Sequence, residues 1–213
     1  TNIVQSNLTR KVPYSISSIN FDSADADYMQ VPNPGSSLLA YGENKFSFSG
    51  WINPKTFVNQ AGLIARYKNS TSRTTIKANG FDGLMFQSVD TPTAANFHIT
   101  WDNILTANTW QHVCFIYDGA NTSCNLYING VDQGAGTITG SIPSSLPNFN
   151  GYPIDIGVDA MNGRGNRNFD GGFSNFAIFN LILSIDDIIN LYNNGITQDL
   201  NNFRVTPTAW WPL

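Results

Sequence analysis

The chain has 213 residues, 41% of them hydrophobic, and 15 acidic side chains against 11 Lys and Arg give a formal net charge of −4. No basic run is present, which argues against nucleic-acid binding through neutralised phosphates, and no apolar run is long enough to insert into a membrane. Only 12% of the residues are charged, and much of the polarity comes from 27 Asn with Ser and Thr, a composition that favours strands and turns over long helices.

Short runs with alternating apolar and polar residues follow one another along the chain and predict strands. In NKFSFSGWI, for example, Phe46, Phe48, Gly50 and Ile52 share one face. The other runs of this kind are YSISSINF (14–21), DYMQV (27–31), GLIARY (62–67), RTTIKA (73–78), GLMFQSV (83–89), NFHITW (96–101), YPIDIGV (152–158) and GGFSNFAIF (171–179). Gly, Pro, Asn and Asp separate them, so the pattern predicts an all-β sandwich or barrel in a single domain covering residues 1–213.

The segment WQHVCFIYDGANTSCNLYINGV (110–131) predicts a hairpin whose strands cover residues 110–117 and 124–129, with a turn that begins at Asp118-Gly119. It contains both cysteines, Cys114 and Cys124. A turn centred on Gly119 would place them opposite each other at bridging distance, whereas a longer loop would offset them. We favour two unbridged thiols, because a free cysteine behaves as a small core hydrophobe.

One helix is predicted near the C-terminus, in LSIDDIINLYNNG. Ser184 is placed to cap its first turn with Asp187 in the capping-box position. Apolar residues recur at helical spacing from Ile185 to Tyr192, and Gly195 is expected to end the helix in the left-handed region.

Several of these segments resemble, in their order, the laminin G-like branch of the concanavalin A-like lectin/glucanase superfamily. The segments are FDSADADYMQVP (21–32), FSFSGWINP (46–54), WQHVCFIYDG (110–119), NLYINGV (125–131), IDIGV (154–158) and FDGGFSNFAIFNLILS (169–184). The resemblance implies a jelly-roll sandwich of two antiparallel sheets with the closing TAWWPL returning beside the N-terminal strand. It also implies binding of sugars, proteins or cell surfaces by loops at one rim or by one sheet. Asn175 and Ser23 depart from the family pattern, where an acidic residue and a glycine are common.

The glucanases of this superfamily use paired carboxylates on one strand, commonly Glu-x-Asp-x-Glu. Glu43 is the only Glu of the chain, so that motif is absent. Asp155 and Asp159 have a similar spacing, and we interpret them as turn and edge residues. His112 and Cys114 share a strand face, but nothing adjacent supplies the orienting group and oxyanion hole that a Cys–His nucleophile needs. The sequence therefore predicts no enzyme.

Two segments carry candidate ligands. Asp22, Asp25 and Asp27 supply clustered oxygens of the kind that calcium prefers, and calcium is the one cofactor predicted. The alternative is that these side chains cap turn amides.

The second segment is the loop DAMNGRGNRNFDGG (159–172), in which Arg and Asn are suited to hydroxyls or carboxylates of sugars. The predicted ligand-binding residues are Asn162, Arg164, Asn166, Arg167, Asn168 and Asp170. A solvated flexible loop is an equally weighted alternative.

The five tryptophans are mostly assigned to the core. Trp51 and Trp110 match scaffold aromatics of the family, and Trp110 is included in the first hairpin strand. Because Trp210 and Trp211 must point to opposite faces of a strand, one of them is expected to be exposed or at an interface.

The leading hypothesis is a non-catalytic, lectin-like recognition domain, displayed extracellularly or on a virion, that binds a glycan or a partner surface. The alternative is a structural or assembly module, such as a virion decoration, fibre or capsid-associated protein, that packs on neighbouring subunits without sugar binding. A homo-oligomer or larger assembly is compatible with either, and no nucleic acid or membrane insertion is expected.

Overall fold

The computed structural model describes residues 18–32, 44–90, 95–147, 149, 151–161 and 166–213. Within them the chain forms two antiparallel sheets of seven strands each and one short α-helix, so the predicted all-β jelly roll is confirmed. The strands are β1 (Ile19–Phe21), β2 (Met29–Val31), β3 (Lys45–Pro54), β4 (Gly62–Asn69), β5 (Ser72–Ala78), β6 (Leu84–Asp90), β7 (Ala95–Trp101), β8 (Gln111–Asp118), β9 (Ser123–Ile128), β10 (Val131–Asp132), β11 (Thr137–Thr139), β12 (Ile154–Ile156), β13 (Gly171–Phe179) and β14 (Ala209–Trp211).

The first sheet has the order β1-β13-β3-β8-β9-β10, with β14 also paired to β13. The second sheet has the order β11-β7-β6-β5-β4-β12-β2. The predicted strand at residues 14–21 appears as β1 from Ile19 onward, and residues 14–17 lie outside the described part of the chain.

The closing strand β14 and the first strand β1 both pair with the same edge of β13. The two lie end to end, because β1 pairs with residues 171–173 and β14 with residues 176–178. Between them β13 has a register shift at which Asn175 adopts a φ of 55°. The Asn175 side chain accepts a hydrogen bond from Trp210 Nε1 at 2.6 Å and donates one to the Gln198 carbonyl at 3.0 Å. Asn175, which departs from the family pattern, thus hydrogen-bonds two parts of the C-terminal segment to the first sheet.

The main apolar core lies between the two sheets, as the alternation in β3 predicts. Phe46, Phe48 and Ile52 are all buried in it. Gly50 continues the same face, where the Phe176 ring lies so close that a Cβ at this position would be 2.2 Å from its Cδ1.

The hairpin of β8 and β9 places the two cysteines on opposite faces of the first sheet. Cys114 pairs with Tyr127 across the hairpin, and Cys124 pairs with Tyr117. Cys124 packs in the core between the sheets, whereas Cys114 belongs to a second apolar cluster on the outer face of the first sheet. Both thiols are free and buried, which confirms the unbridged prediction.

The α-helix α1 (Ile185–Tyr192) covers that second cluster with Ile188 and Leu191. Its capping box is formed as predicted, with the Ser184 side chain accepting from the Asp187 amide. The predicted end at Gly195 is wrong, because Asn193 already takes the left-handed conformation that ends the helix. Asparagine tolerates this region better than most residues, so a glycine is not required there.

Two expectations about tryptophans need correction. Trp211 packs against the core between the sheets and Trp210 against the second cluster, so they do point to opposite faces, but both are partly buried. Neither is fully exposed, because each face of β14 has an apolar cluster to pack against; the alternative that one of them lies at an interface stays a prediction. Trp110 precedes β8 and is not part of it.

Candidate functional site

The outer face of the second sheet, on the side away from the core, carries polar and charged side chains. In β5, Ile76 faces the core, so the neighbouring residues 75 and 77 point outward. We call this surface the polar face. Its residues are Arg73, Thr75, Lys77, Gln87 and His98 from three adjacent strands, with Asp159 and Arg167 from the segment after β12.

A hydrogen-bonded ion cluster forms the centre of the polar face. Lys77 Nζ lies 2.9 Å from Asp159 Oδ2, and Arg167 Nη1 lies 3.2 Å from the same oxygen. The side chains of Lys77 and Asp159 are 1% and 0% exposed. Gln87 Oε1 accepts from Lys77 Nζ at 2.9 Å and from Arg73 Nη2 at 3.1 Å, which links the ion pair to the next cation.

Gly62 allows Asp159 to reach this position. It pairs with Lys77 at the start of β4, and a Cβ there would lie 2.1 Å from the Val158 carbonyl carbon and 2.2 Å from the Asp159 nitrogen. The backbone after β12 can therefore lie directly against the sheet. The Gly62 and Asp159 amides both donate to the Arg167 carbonyl at 3.1 Å, which holds the two ends of the 159–167 segment together.

The charges of the cluster are not balanced. Lys77 and Arg167 contact the carboxylate of Asp159, and Arg73 is linked to Lys77 through the shared acceptor Gln87. Burial lowers the pKa of Lys77, and Asp159 only partly opposes that effect. Burial also lowers the pKa of Arg73, with Arg167 adding repulsion.

Three buried polar atoms of the polar face have no hydrogen-bond partner among the described residues. They are Thr75 Oγ1, Arg73 Nε and Asp159 Oδ1. Thr75 and Asp159 are 0% exposed and Arg73 is 7% exposed. Most buried polar groups in proteins are hydrogen-bonded to protein or to ordered water, so these three atoms have hydrogen-bonding capacity that the described residues do not use.

The polar face opens toward the edge formed by β7 and β11. Gln87, His98 and Thr100 are half-buried and Asn96 is exposed, in contrast to the buried residues of β5. The exposure of the polar face therefore increases from β5 toward β7.

The structure separates the predicted ligand residues of the 159–172 loop. Arg167 joins the polar face and Asn166 is exposed beside it. Asn168 and Asp170 are buried and bind neighbouring loops: Asn168 Nδ2 donates to the Asp27 carbonyl at 3.0 Å, and Asp170 Oδ2 accepts from Thr56 Oγ1 at 3.0 Å. Asn162 and Arg164 lie outside the described residues, so their roles stay predictions.

The acidic segment after β1 forms a turn that its own side chains cap. Asp27 Oδ2 accepts from the Asp22 amide at 3.1 Å, and Asp22 Oδ1 accepts from the Ala24 amide at 2.8 Å. Asp25 is exposed. Among the residues that the structure describes, no group of three or more His, Cys, Asp or Glu side chains is placed to hold a metal ion. Calcium binding by Asp22, Asp25 and Asp27 stays a prediction.

The spaced carboxylates Asp155 and Asp159 are both fully buried. Their interpretation as turn and edge residues is wrong for Asp155, which lies in β12 between two other strands and accepts from Gln30 Nε2 at 2.8 Å. Asp159 Oδ2 is held by Lys77 and Arg167, so this carboxylate belongs to the ion cluster.

The His112 and Cys114 pair is part of the scaffold. His112 Nε2 lies 2.8 Å from Ser49 Oγ, and burial lowers the pKa of His112 to about 3. Burial raises the pKa of the Cys114 thiol far above its ordinary value. A neutral buried thiol is a poor nucleophile, so this pair lacks the activation that covalent catalysis needs.

The sequence interpretation missed the centre of the polar face. The alternation in RTTIKA predicts a strand, and it also places two basic residues, Arg73 and Lys77, on the face opposite Ile76. The chain has only 11 Lys and Arg, so two of them on one face of an interior strand indicate a charged surface on that face of the sheet.

Residues 22–189 match the Laminin_G_3 family, described as part of the concanavalin A-like lectin/glucanases superfamily. The chain belongs to this family. The match agrees with the resemblance that the sequence motifs carry and with the two-sheet architecture. A comparison with curated protein sequences found no match.

Several solved structures share the fold. Domain 4 of AbnA, a GH43 extracellular arabinanase from Geobacillus stearothermophilus in complex with arabinotriose, is 19% identical, with 82% of this chain and 76% of that chain covered and a TM-score of 0.59. The Ruminococcus gnavus IT-sialidase CBM40 bound to α2,3-sialyllactose is 10% identical, with 83% and 96% covered and a TM-score of 0.62. A heptameric SAP-like pentraxin from Limulus polyphemus is 14% identical, with 91% and 94% covered and a TM-score of 0.56. At these identities the likeness establishes the fold alone.

Within the described ranges, no helix has both the length and the apolar character needed to cross a membrane.

Proposed function

We propose that this chain is a non-catalytic domain that binds a glycan outside the cell, and that the polar face of the second sheet is the binding surface. The observation that carries the proposal is the buried ion cluster with three unpartnered polar atoms. Leaving a buried donor or acceptor unsatisfied costs folding free energy, on the order of 1–3 kcal/mol for each group. A ligand rich in hydroxyls would supply the missing partners.

The chemistry of the face suits a saccharide. Asp159 Oδ1 can accept from a sugar hydroxyl, Arg73 Nε can donate to one, and Thr75 Oγ1 can do either. Gln87 and His98 border this set on its open side and add further polar atoms. Asn166 and Arg167, which follow on the chain from Asp159, add polar groups at the border of this set.

Two relatives in fold give independent support, because they are described in complex with arabinotriose and with α2,3-sialyllactose. The absence of catalysis is part of the proposal. It is supported by the single Glu of the chain, the ion-paired state of Asp159 and the unactivated His112 and Cys114 pair.

A glycan array tests the proposal, run with the wild-type chain both in calcium and in EDTA. We expect one class of glycans to be bound. The double variant Gln87→Ala/His98→Ala should weaken that binding at least tenfold, because both side chains line the open part of the face. Gln133→Ala, which changes a glutamine that follows β10 in the other sheet, is the matched control and should bind like wild type.

Two results would contradict this proposal: no glycan bound in either condition, or equal binding by the double variant. A loss of binding in EDTA alone would support the calcium prediction for Asp22, Asp25 and Asp27. Binding that is equal with calcium and with EDTA would count against it.

An assembly role is the second candidate, and one surface favours it. Ile182, Ile185 and Ile189 are 43–51% exposed around helix α1, on the side of the first sheet away from the polar face. Exposed apolar side chains of this size favour contact with another subunit, as in a fibre or virion component. Light scattering after size exclusion tests this, with Ile185→Ser/Ile189→Ser as the variant that should dissociate an oligomer. A monomeric wild-type chain would remove this candidate.

A further inference from the structure

We propose that the glycan bound at the polar face is anionic, a saccharide whose carboxylate is held by the cations of the ion cluster. This inference rests on the proposed function and specifies the ligand class for the same surface.

The first argument is the charge of the cluster. The cluster contains three basic side chains, Arg73, Lys77 and Arg167, and one carboxylate, that of Asp159, so basic groups outnumber acidic ones by two. Burial removes the water that would otherwise screen this excess. The lowered pKa values of Lys77 and Arg73 have the same cause, since burial disfavours both cations and Asp159 compensates only in part. A carboxylate of a bound ligand would supply part of the missing charge.

The second argument is the position of the unpartnered atoms. Arg73 donates to the Ser70 carbonyl and to Gln87 Oε1 through its terminal nitrogens, which leaves Nε–H unpaired. Thr75 is two residues further along β5 on the same face, and its hydroxyl is also unpaired. Two buried donors on one strand beside excess positive charge form a cradle for a negatively charged acceptor.

The third argument is the route to this cradle. Gln87 pairs with Thr75 on one side and with His98 on the other, and both Gln87 and His98 are half-buried. The carboxylate enters from this side, while the uncharged part of the saccharide lies over β6 and β7. The same arrangement leaves Asp159 Oδ1 available to a hydroxyl of the sugar.

Titration calorimetry with charged and neutral forms of the same saccharide tests the inference. The probes are α2,3-sialyllactose and trigalacturonate, each compared with its methyl ester, which keeps the shape and removes the charge. We expect at least one acid to bind at least tenfold more tightly than its ester. We also expect its affinity to fall as salt rises, because salt screens the attraction between ions that are accessible to it.

Thr75→Val separates ligand binding from folding. Valine keeps the shape and removes a hydroxyl that has no partner in the free protein, so the melting temperature should stay the same or rise. The affinity for the acid should fall at least fivefold. Thr74→Val is the matched control: Thr74 faces the core from the same strand and lies 3.2 Å from Ser88 Oγ, so this variant should melt earlier and bind normally.

The outcomes distinguish the two levels of the proposal. If an ester, or another neutral glycan on the array, binds as tightly as the acids, the anionic inference is overturned and glycan binding stands. If the acids bind but Thr75→Val binds them like wild type, the cradle on β5 is wrong. If no saccharide on the array or in the titrations binds, the proposed function fails and the inference fails with it.

Discussion

His112 should make the stability of this domain depend strongly on mild acid. Its ring is 1% exposed, with ring centroids 5.4 Å from Trp51 and 6.3 Å from Tyr192. Nε2 is hydrogen-bonded to Ser49, and Nδ1 has no partner among the described residues. A proton added here would place an uncompensated charge in an apolar site, which is why burial lowers the pKa of His112 from 6.5 to about 3.

The direction and size of the effect follow from these two values. Between pH 6.5 and pH 3 the unfolded chain binds a proton at His112 and the folded chain does not, so stability falls as the pH falls through this window. Lowering the pH from 8 to 5 should remove about 2 kcal/mol of the free energy of unfolding through this residue alone. For a chain of this length that corresponds to roughly 4–8 °C in melting temperature.

Urea unfolding of the wild type and of His112→Gln at pH 8 and pH 5 measures this contribution. The Gln amide can still hydrogen-bond to Ser49 but does not titrate, so the loss of stability between the two pH values should be about 2 kcal/mol smaller in the variant. His98→Gln, measured in parallel, is the matched control for replacing a histidine by glutamine in this chain. An identical pH dependence in the wild type and His112→Gln would refute the reasoning.

Further predictions follow from the first sheet and its core. Burial raises the pKa of both thiols, that of Cys124 to about 12, so Cys114 and Cys124 should resist alkylation in the native chain and both react after denaturation. Intact mass before alkylation checks this, because a deficit of about 2 Da would mean a disulfide. Gly50→Ala should destabilise the fold by roughly 1–3 kcal/mol through overlap with the Phe176 ring. Adding Phe176→Leu should cancel part of that loss in a double-mutant cycle, and purely additive effects would argue against the overlap.

The sequence correctly predicts features that depend on residues close together in the chain, such as the core face of a strand or the first turn of a helix. The alternation in β3 identifies its core face correctly, because a strand with one buried face must repeat every two residues. The capping box at Ser184 and Asp187 fixes where α1 begins, since both partners lie within one turn. The end of α1 was missed because either Asn193 or Gly195 can take the left-handed conformation.

The hairpin register depended on a turn that composition alone could not decide. Asp118 pairs with Ser123, which leaves four residues in the loop, and Thr122 adopts a φ of 49°. The Asp118 carboxylate accepts from the Asn121 amide at 3.2 Å and from its side chain at 2.7 Å. These contacts favour the longer loop, and the longer loop puts the two cysteines on opposite faces.

The polar face is the part that sequence reasoning could not assemble. Lys77 and Asp159 are 82 residues apart in the sequence. They meet because β12 pairs with β4, and because Gly62 has no side chain to keep the backbone of Val158 and Asp159 away from the sheet. The composition of the 159–172 loop predicts ligand binding, but composition does not tell which of its side chains point to the sheet. Arg167 does so, whereas Asn168 and Asp170 point to neighbouring loops.

The pairing of β3 with β13 has a consequence for the order of folding. The run from β4 to β7 pairs each strand with the next one along the chain, so most of the second sheet can form while synthesis continues. In the first sheet, β3 can pair with β8 early, but the other edge of β3 stays unpaired until β13 (Gly171–Phe179) has been synthesised. Until they leave the ribosome, a long apolar strand has an open edge, which is the type of surface on which nascent chains aggregate. We expect chaperone dependence and aggregation of truncated chains to begin at this edge, well away from the polar face.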